Sequence, residues 1–82
     1  MIKEEITNEI KKNIKDVELN ISTNDDKYFN AIIITDEFEN KDLLDRQKIV
    51  YKIIEKYILN KTIHAISFKT YSKKEYMALL RK

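Results

Sequence analysis

The chain has 82 residues and not one of them is glycine or proline. Every reversal of direction must therefore be made by residues that carry a Cβ. Left-handed backbone costs such residues roughly 1–2 kcal/mol, and only asparagine and aspartate relieve that cost with short side chains that hydrogen-bond locally. Turns are expected at Asn and Asp, and these cluster near Asp16, over Thr23-Asn24-Asp25-Asp26-Lys27, between Asp36 and Lys41, and at Asn60-Lys61-Thr62. The same absence excludes a Gly-x-x-Gly loop, which RNA-binding KH domains need so that backbone can approach phosphates closely. There is no cysteine either, so disulfides, cysteine zinc sites and thiol nucleophiles are ruled out and packing alone must hold the fold.

Between those turns the apolar residues change period. Ile2, Ile6, Ile10 and Ile14 recur every four residues, a narrow stripe on an amphipathic helix that ends near Asp16. Val17 to Ser22 alternates with period two, as a half-buried strand does, and Tyr28 to Thr35 is a second, more buried strand carrying Ala31-Ile32-Ile33-Ile34. The two pair as a hairpin. Val50, Ile53, Ile54, Tyr57 and Ile58 then fit helical spacing, with Leu43 and Leu44 leading in. Ile63 to Tyr71 is a third strand, and Ser72-Lys73-Lys74-Glu75 has the form of a capping box that opens a last helix over Lys73 to Leu80. The order αββαβα predicts one α+β domain over residues 1–82, with a three-stranded mixed sheet and helices packed on one face. Phe38, Tyr57 and Phe68 are expected in the core, and Tyr51, Tyr71 and Tyr76 at the surface.

His64 is the only histidine, so any soft or borderline metal chemistry must include it. Strand alternation places it with Ile66 and Phe68, which by itself reads more often as a partly buried histidine satisfied by a backbone carbonyl than as a ligand. With no carboxylate pair at a recognisable spacing and no phosphate loop, no nucleophile, base and oxyanion site can be assembled, and the chain is not expected to be an enzyme. Charge is divided unevenly. Residues 1–40 hold five Lys against ten Asp or Glu, a net −5, and residues 41–82 hold eleven Lys or Arg against four Asp or Glu, a net +7. Arg46, Lys48, Lys52, Lys69, Lys73 and Lys74 are the candidate phosphate contacts of that basic half, although a lysine stripe such as Lys48, Lys52 and Lys56 is more often a solvated helix face. The longest apolar run is Ala31 to Ile34 and the N-terminus is acidic, so neither a spanning segment nor a secretory signal is expected.

Several stretches together resemble the BolA family: Tyr28-Phe29 through Ile34, Phe38-Glu39-Asn40-Lys41, Leu43-Leu44-Asp45-Arg46-Gln47, Val50-Tyr51, and Ile63-His64-Ala65-Ile66-Ser67-Phe68-Lys69-Thr70-Tyr71 followed by Glu75-Tyr76. The resemblance is close over residues 28–76. Its most specific part is the histidine-alanine-aliphatic-serine strand preceded by the phenylalanine-x-x-lysine turn. It implies a fold like class II KH domains and a partnership with a monothiol glutaredoxin in 2Fe-2S cluster assembly, transfer or iron regulation. His64 would then be a ligand to a cluster shared with the glutaredoxin cysteine and glutathione, and the surface around His64, the loop before it and the last helix would meet the partner. The alternative it implies is a DNA-binding transcriptional regulator of stress response that uses the basic half.

The chain departs from the family pattern at several points. Relatives place a second ligand, cysteine or histidine, in or just after the hairpin loop, and Ser22 to Tyr28 has neither. Tyr28 stands where some relatives have that histidine, but a phenol with a pKa of about 10 is a poor spontaneous donor to a thiolate-rich cluster. Asn40 replaces a glycine, Gln47 a histidine, Lys73 a proline and Tyr76 a tryptophan. The isolated protein is expected to be a colourless monomer that forms a heterodimer with glutaredoxin, in bacterial cytoplasm or an organelle matrix.

Overall fold

The computed structural model describes residues 2–81. Helix α1 (Ile2–Asn13) is followed by strands β1 (Glu18–Thr23) and β2 (Tyr28–Ile34), a 3-10 turn at Asp36–Phe38, helix α2 (Leu43–Leu59), strand β3 (Ala65–Tyr71) and helix α3 (Lys73–Leu80). The sheet order is β1-β2-β3, with β1 antiparallel and β3 parallel to β2. This is the expected αββαβα mixed sheet.

The isoleucine stripe of α1 works as its spacing predicts. Ile6 and Ile10 are buried, and Ile14 is buried just past the helix end, where its amide still donates to the Ile10 carbonyl at 3.0 Å. Acidic Glu4 and Glu5 in the first turn and basic Lys11 and Lys12 in the last complement the helix dipole. Strand alternation divides the sheet into two faces. Ile21, Phe29, Ala31 and Ile33 join Val50 and Ile54 of α2 and the α1 isoleucines in one core. Asn20, Ser22, Asn30, Ser67 and Lys69 line a shallow concavity on the opposite face. Phe38 is fully buried, while Tyr57 and Phe68 pack half-buried against the core. Leu43 and Leu44 open α2 but do not join its apolar face, each being 61% exposed.

Asp42 caps α2 by accepting the Asp45 amide at 2.8 Å, and Ser72 and Glu75 form the reciprocal capping box that the sequence predicts for α3. No residue of α3 is buried. Besides the half-buried Tyr76, a polar clamp attaches it: the Arg46 guanidinium of α2 grips both Glu75 carboxylate oxygens, at 2.6 and 3.1 Å.

Left-handed backbone occurs at Asp16, Asp26, Asn40 and Lys61. Three of the four are the expected Asp or Asn. At the fourth, Asn60 lies one residue too early: its Oδ1 accepts the Thr62 amide at 2.9 Å, and the left-handed position falls on Lys61, whose amide donates to the Ile58 carbonyl. This is the site just past a helix end that glycine usually fills. Lys61→Gly is accordingly expected to stabilise the protein by about 0.5–1 kcal/mol, a gain reduced from the full left-handed cost by the extra entropy of glycine in the unfolded chain. Urea unfolding with no gain in midpoint would show that lysine is unstrained there.

Candidate functional site

Position 64 is set by the residue before it. After α2 the chain turns through Lys61, the Ile63 amide donates to the Tyr57 carbonyl at 2.9 Å, and the Ile63 side chain is buried in the core. With Ile63 held inward, His64 is turned out to solvent at a bend, and β3 begins only at Ala65. This corrects two expectations. The third strand does not start at Ile63, and His64 does not share the face of Ile66 and Phe68, which are half-buried where His64 is exposed. The partly buried, carbonyl-bonded histidine is thereby overturned, because the imidazole makes no hydrogen bond to other described residues.

The backbone at His64 is fastened to the hairpin loop. The Lys27 carbonyl accepts from the amides of both His64 and Ala65, at 2.9 and 3.2 Å. Within the loop, Thr23 Oγ1 donates to the Tyr28 carbonyl at 2.8 Å and accepts the Asp26 amide at 3.0 Å, while Asp25 Oδ1 accepts the amides of Lys27 and Tyr28, each at 3.0 Å. The Tyr28 and Lys27 amides, in that order, hold the Asp25 carboxyl below the usual carboxylate range. Tyr28 pairs with Ala65 in the sheet register, is 59% exposed, and lies with its ring centroid 6.1 Å from that of His64. The two candidate ligand residues therefore meet at one corner of the sheet. No group of three or more His, Cys, Asp or Glu able to hold a metal occurs among the described residues, so a metal at His64 would have to draw ligands from elsewhere.

The last helix lies apart from this corner. It begins beyond the other end of β3, where Tyr76 packs on Tyr71 at 5.6 Å. The seven residues of the strand separate that end from His64 by roughly 20 Å.

Nor does the fold gather the basic candidates. Lys48 and Lys52 are exposed on α2, Lys69 is exposed on the sheet face that α1 and α2 leave open, and Lys73 and Lys74 are exposed on the first turn of α3. Arg46 must be withdrawn as a phosphate contact. It is only 8% exposed, and its guanidinium donates to the Lys41 and Thr70 carbonyls as well as to Glu75. Glu75 lies 29 residues away, so no local spacing points to the pair. The one available signal was indirect: Glu75 was already assigned to the capping box, which fixes its place at the start of α3.

A family model described as BolA-like protein matches residues 1–75. An uncharacterized protein of Buchnera aphidicola subsp. Baizongia pistaciae (strain Bp) is 46% identical over 74 residues, spanning 87% of this chain and 94% of that one. Among solved structures, BolA1 from Arabidopsis thaliana superposes with a TM-score of 0.81 at 25% identity, covering 92% of this chain and 95% of that one. A bolA protein homologue from Coxiella burnetii gives 0.75 at 27% identity, with 90% and 94% covered. The match over nearly the whole length, in sequence and in fold, means that this chain belongs to the BolA-like family.

Proposed function

We propose that the protein is an adaptor that binds a monothiol glutaredoxin and takes part in 2Fe-2S cluster assembly, transfer or iron regulation, with His64 supplying one ligand to a cluster shared with the glutaredoxin and glutathione. The observation that carries this reading is an exposed, unpartnered imidazole on a backbone fixed from both sides, by the buried Ile63 and by the Lys27 carbonyl. A ligand donated to a partner's cluster has to be accessible without being loose, and His64 is both. Tyr28 beside it supplies an aromatic wall, its ring centroid 6.1 Å from that of His64.

His64 would act by ligand exchange, not as a catalytic residue. A neutral imidazole in place of a thiolate removes negative charge from one iron, which raises the reduction potential and eases release, as histidine ligation does in Rieske centres. Alone, the protein is then a colourless monomer, because one donor does not retain a cluster.

The test is to mix the protein anaerobically with a monothiol glutaredoxin, glutathione, iron and sulfide, and to record visible absorption and circular dichroism. A spectrum distinct from that of the glutaredoxin homodimer, lost with His64→Ala, is the expected result. Identical spectra and transfer rates for the wild type and His64→Ala would remove His64 as a ligand and the cluster role with it.

A further inference from the structure

We infer that Asp25 is a positioning residue for His64, acting through a single peptide plane. The Lys27–Tyr28 peptide links the hairpin loop to the entry of β3. Its N–H and C=O point in opposite directions from one rigid unit. The N–H donates to Asp25 Oδ1 at 3.0 Å, and the C=O accepts from the His64 and Ala65 amides at 2.9 and 3.2 Å. Asp25 thus holds one side of the plane and the entry to β3 holds the other. The same Oδ1 also takes the Lys27 amide, and Thr23 Oγ1 ties down the Tyr28 carbonyl, so the plane cannot rotate without breaking bonds to the loop. A carboxylate acceptor on the N–H also polarises the peptide and makes its carbonyl a better acceptor for His64.

Without Asp25 Oδ1 the plane loses the anchor on its N–H side and can tilt, the His64 amide loses a well-aligned acceptor, and the imidazole is presented over a wider range of positions. In this chain the hairpin loop holds no ligand of its own, and it would serve the site by fixing where the one ligand stands. The part of this inference that concerns the cluster rests on the function proposed above, whereas the part that concerns the backbone does not.

Two variants separate the possibilities. Asp25→Ala removes the acceptor, and Asp25→Asn keeps an oxygen at the Oδ1 position. In the isolated protein, amide hydrogen exchange at His64 and Ala65 is expected to accelerate about tenfold or more in Asp25→Ala and less than about threefold in Asp25→Asn, with the Ile33 amide in the centre of the sheet unchanged. Unchanged exchange at His64 and Ala65 in Asp25→Ala would overturn the inference, as would equal acceleration at Ile33, which would mean that Asp25 serves global stability only. In the mixture with glutaredoxin, Asp25→Ala is expected to alter the circular dichroism of the mixed cluster and Asp25→Asn to restore it. Loosened amides with an unaltered cluster spectrum would overturn the positioning of the ligand. If the wild type forms no mixed cluster, it is the proposed function that fails, and the exchange measurement still decides the role of Asp25 in the backbone.

Discussion

Arg46→Ala is expected to destabilise the protein by about 2–4 kcal/mol, which for a domain of this size lowers Tm by roughly 10–25 °C. The guanidinium joins four parts of the chain. Nε donates to the Lys41 carbonyl ahead of α2 at 2.9 Å, Nη1 to the Thr70 carbonyl of β3 at 3.3 Å, and Nη1 and Nη2 to Glu75 of α3, while its carbon lies 5.8 Å from the centre of the Phe38 ring. Truncation leaves the buried Thr70 carbonyl without that donor and leaves α3, which has no fully buried side chain, held mainly by the packing of Tyr76 on Tyr71. Arg46→Lys should recover little, because an ammonium cannot reproduce the planar fork that reaches two carbonyls and a bidentate carboxylate together. Denaturant unfolding of the three proteins checks this, and a loss below about 1 kcal/mol in the alanine variant would show that the clamp is marginal.

The same pair predicts an acid limb. The Arg46 guanidinium, followed by the Ser72 amide, holds the Glu75 carboxyl down at about 2 from an ordinary 4.5. Because the folded value is the lower one, the stabilisation is fully present above about 4.5 and is lost as pH falls toward about 2. The Glu75 side chain is 48% exposed, so solvent screening keeps this contribution small. Glu75→Gln should flatten stability against pH over that window and cost less at neutral pH than Arg46→Ala.

Phe38→Ala is expected to cost about 3–5 kcal/mol. Phe38 is the largest of the fully buried side chains among the described residues, and its 3-10 turn is fastened at Thr35, which limits how far the chain can collapse into the space the ring leaves. The turn is capped by Thr35, whose Oγ1 accepts the Glu37 amide at 3.2 Å and donates to the Lys15 carbonyl at 3.1 Å. Removing the ring opens a cavity under the Arg46 guanidinium as well as in the core. The two losses should therefore couple, with Phe38→Ala and Arg46→Ala together costing less than the sum of the single variants. A small domain often has only about 5–10 kcal/mol in all, so the double variant should be unfolded at 37 °C by circular dichroism. Strict additivity would show that ring and guanidinium act independently.

The elements legible in the sequence are those whose causes lie within a few residues. The α1 isoleucines, the strand alternation of residues 17–22, the α2 spacing and the Ser72–Glu75 capping box all reappear, because periodicity and capping chemistry are local. The strand β3 starts two residues later than the sequence pattern suggests. Strand pattern continues smoothly through Ile63-His64-Ala65, and only the anchoring of Ile63 in the core and the two amides on the Lys27 carbonyl show where the strand begins. Arg46 counts in the sequence simply as one cation of the basic half, and only folding sets Glu75 and Thr70 against it.

The sequence by itself determined the order of elements, the identity of most of the turn residues in a chain without glycine, the membership of the family and the presence of a single histidine. Only the tertiary structure decided that His64 faces solvent beside Tyr28, that Arg46 is a clamp and not a phosphate contact, and that the remaining lysines stand on separate surfaces. The physical reason is that helix, strand and cap propensities act over one or two turns of chain. Burial, charge pairing and the convergence of side chains depend on contacts between residues far apart in sequence, and those form only when the sheet and helices pack.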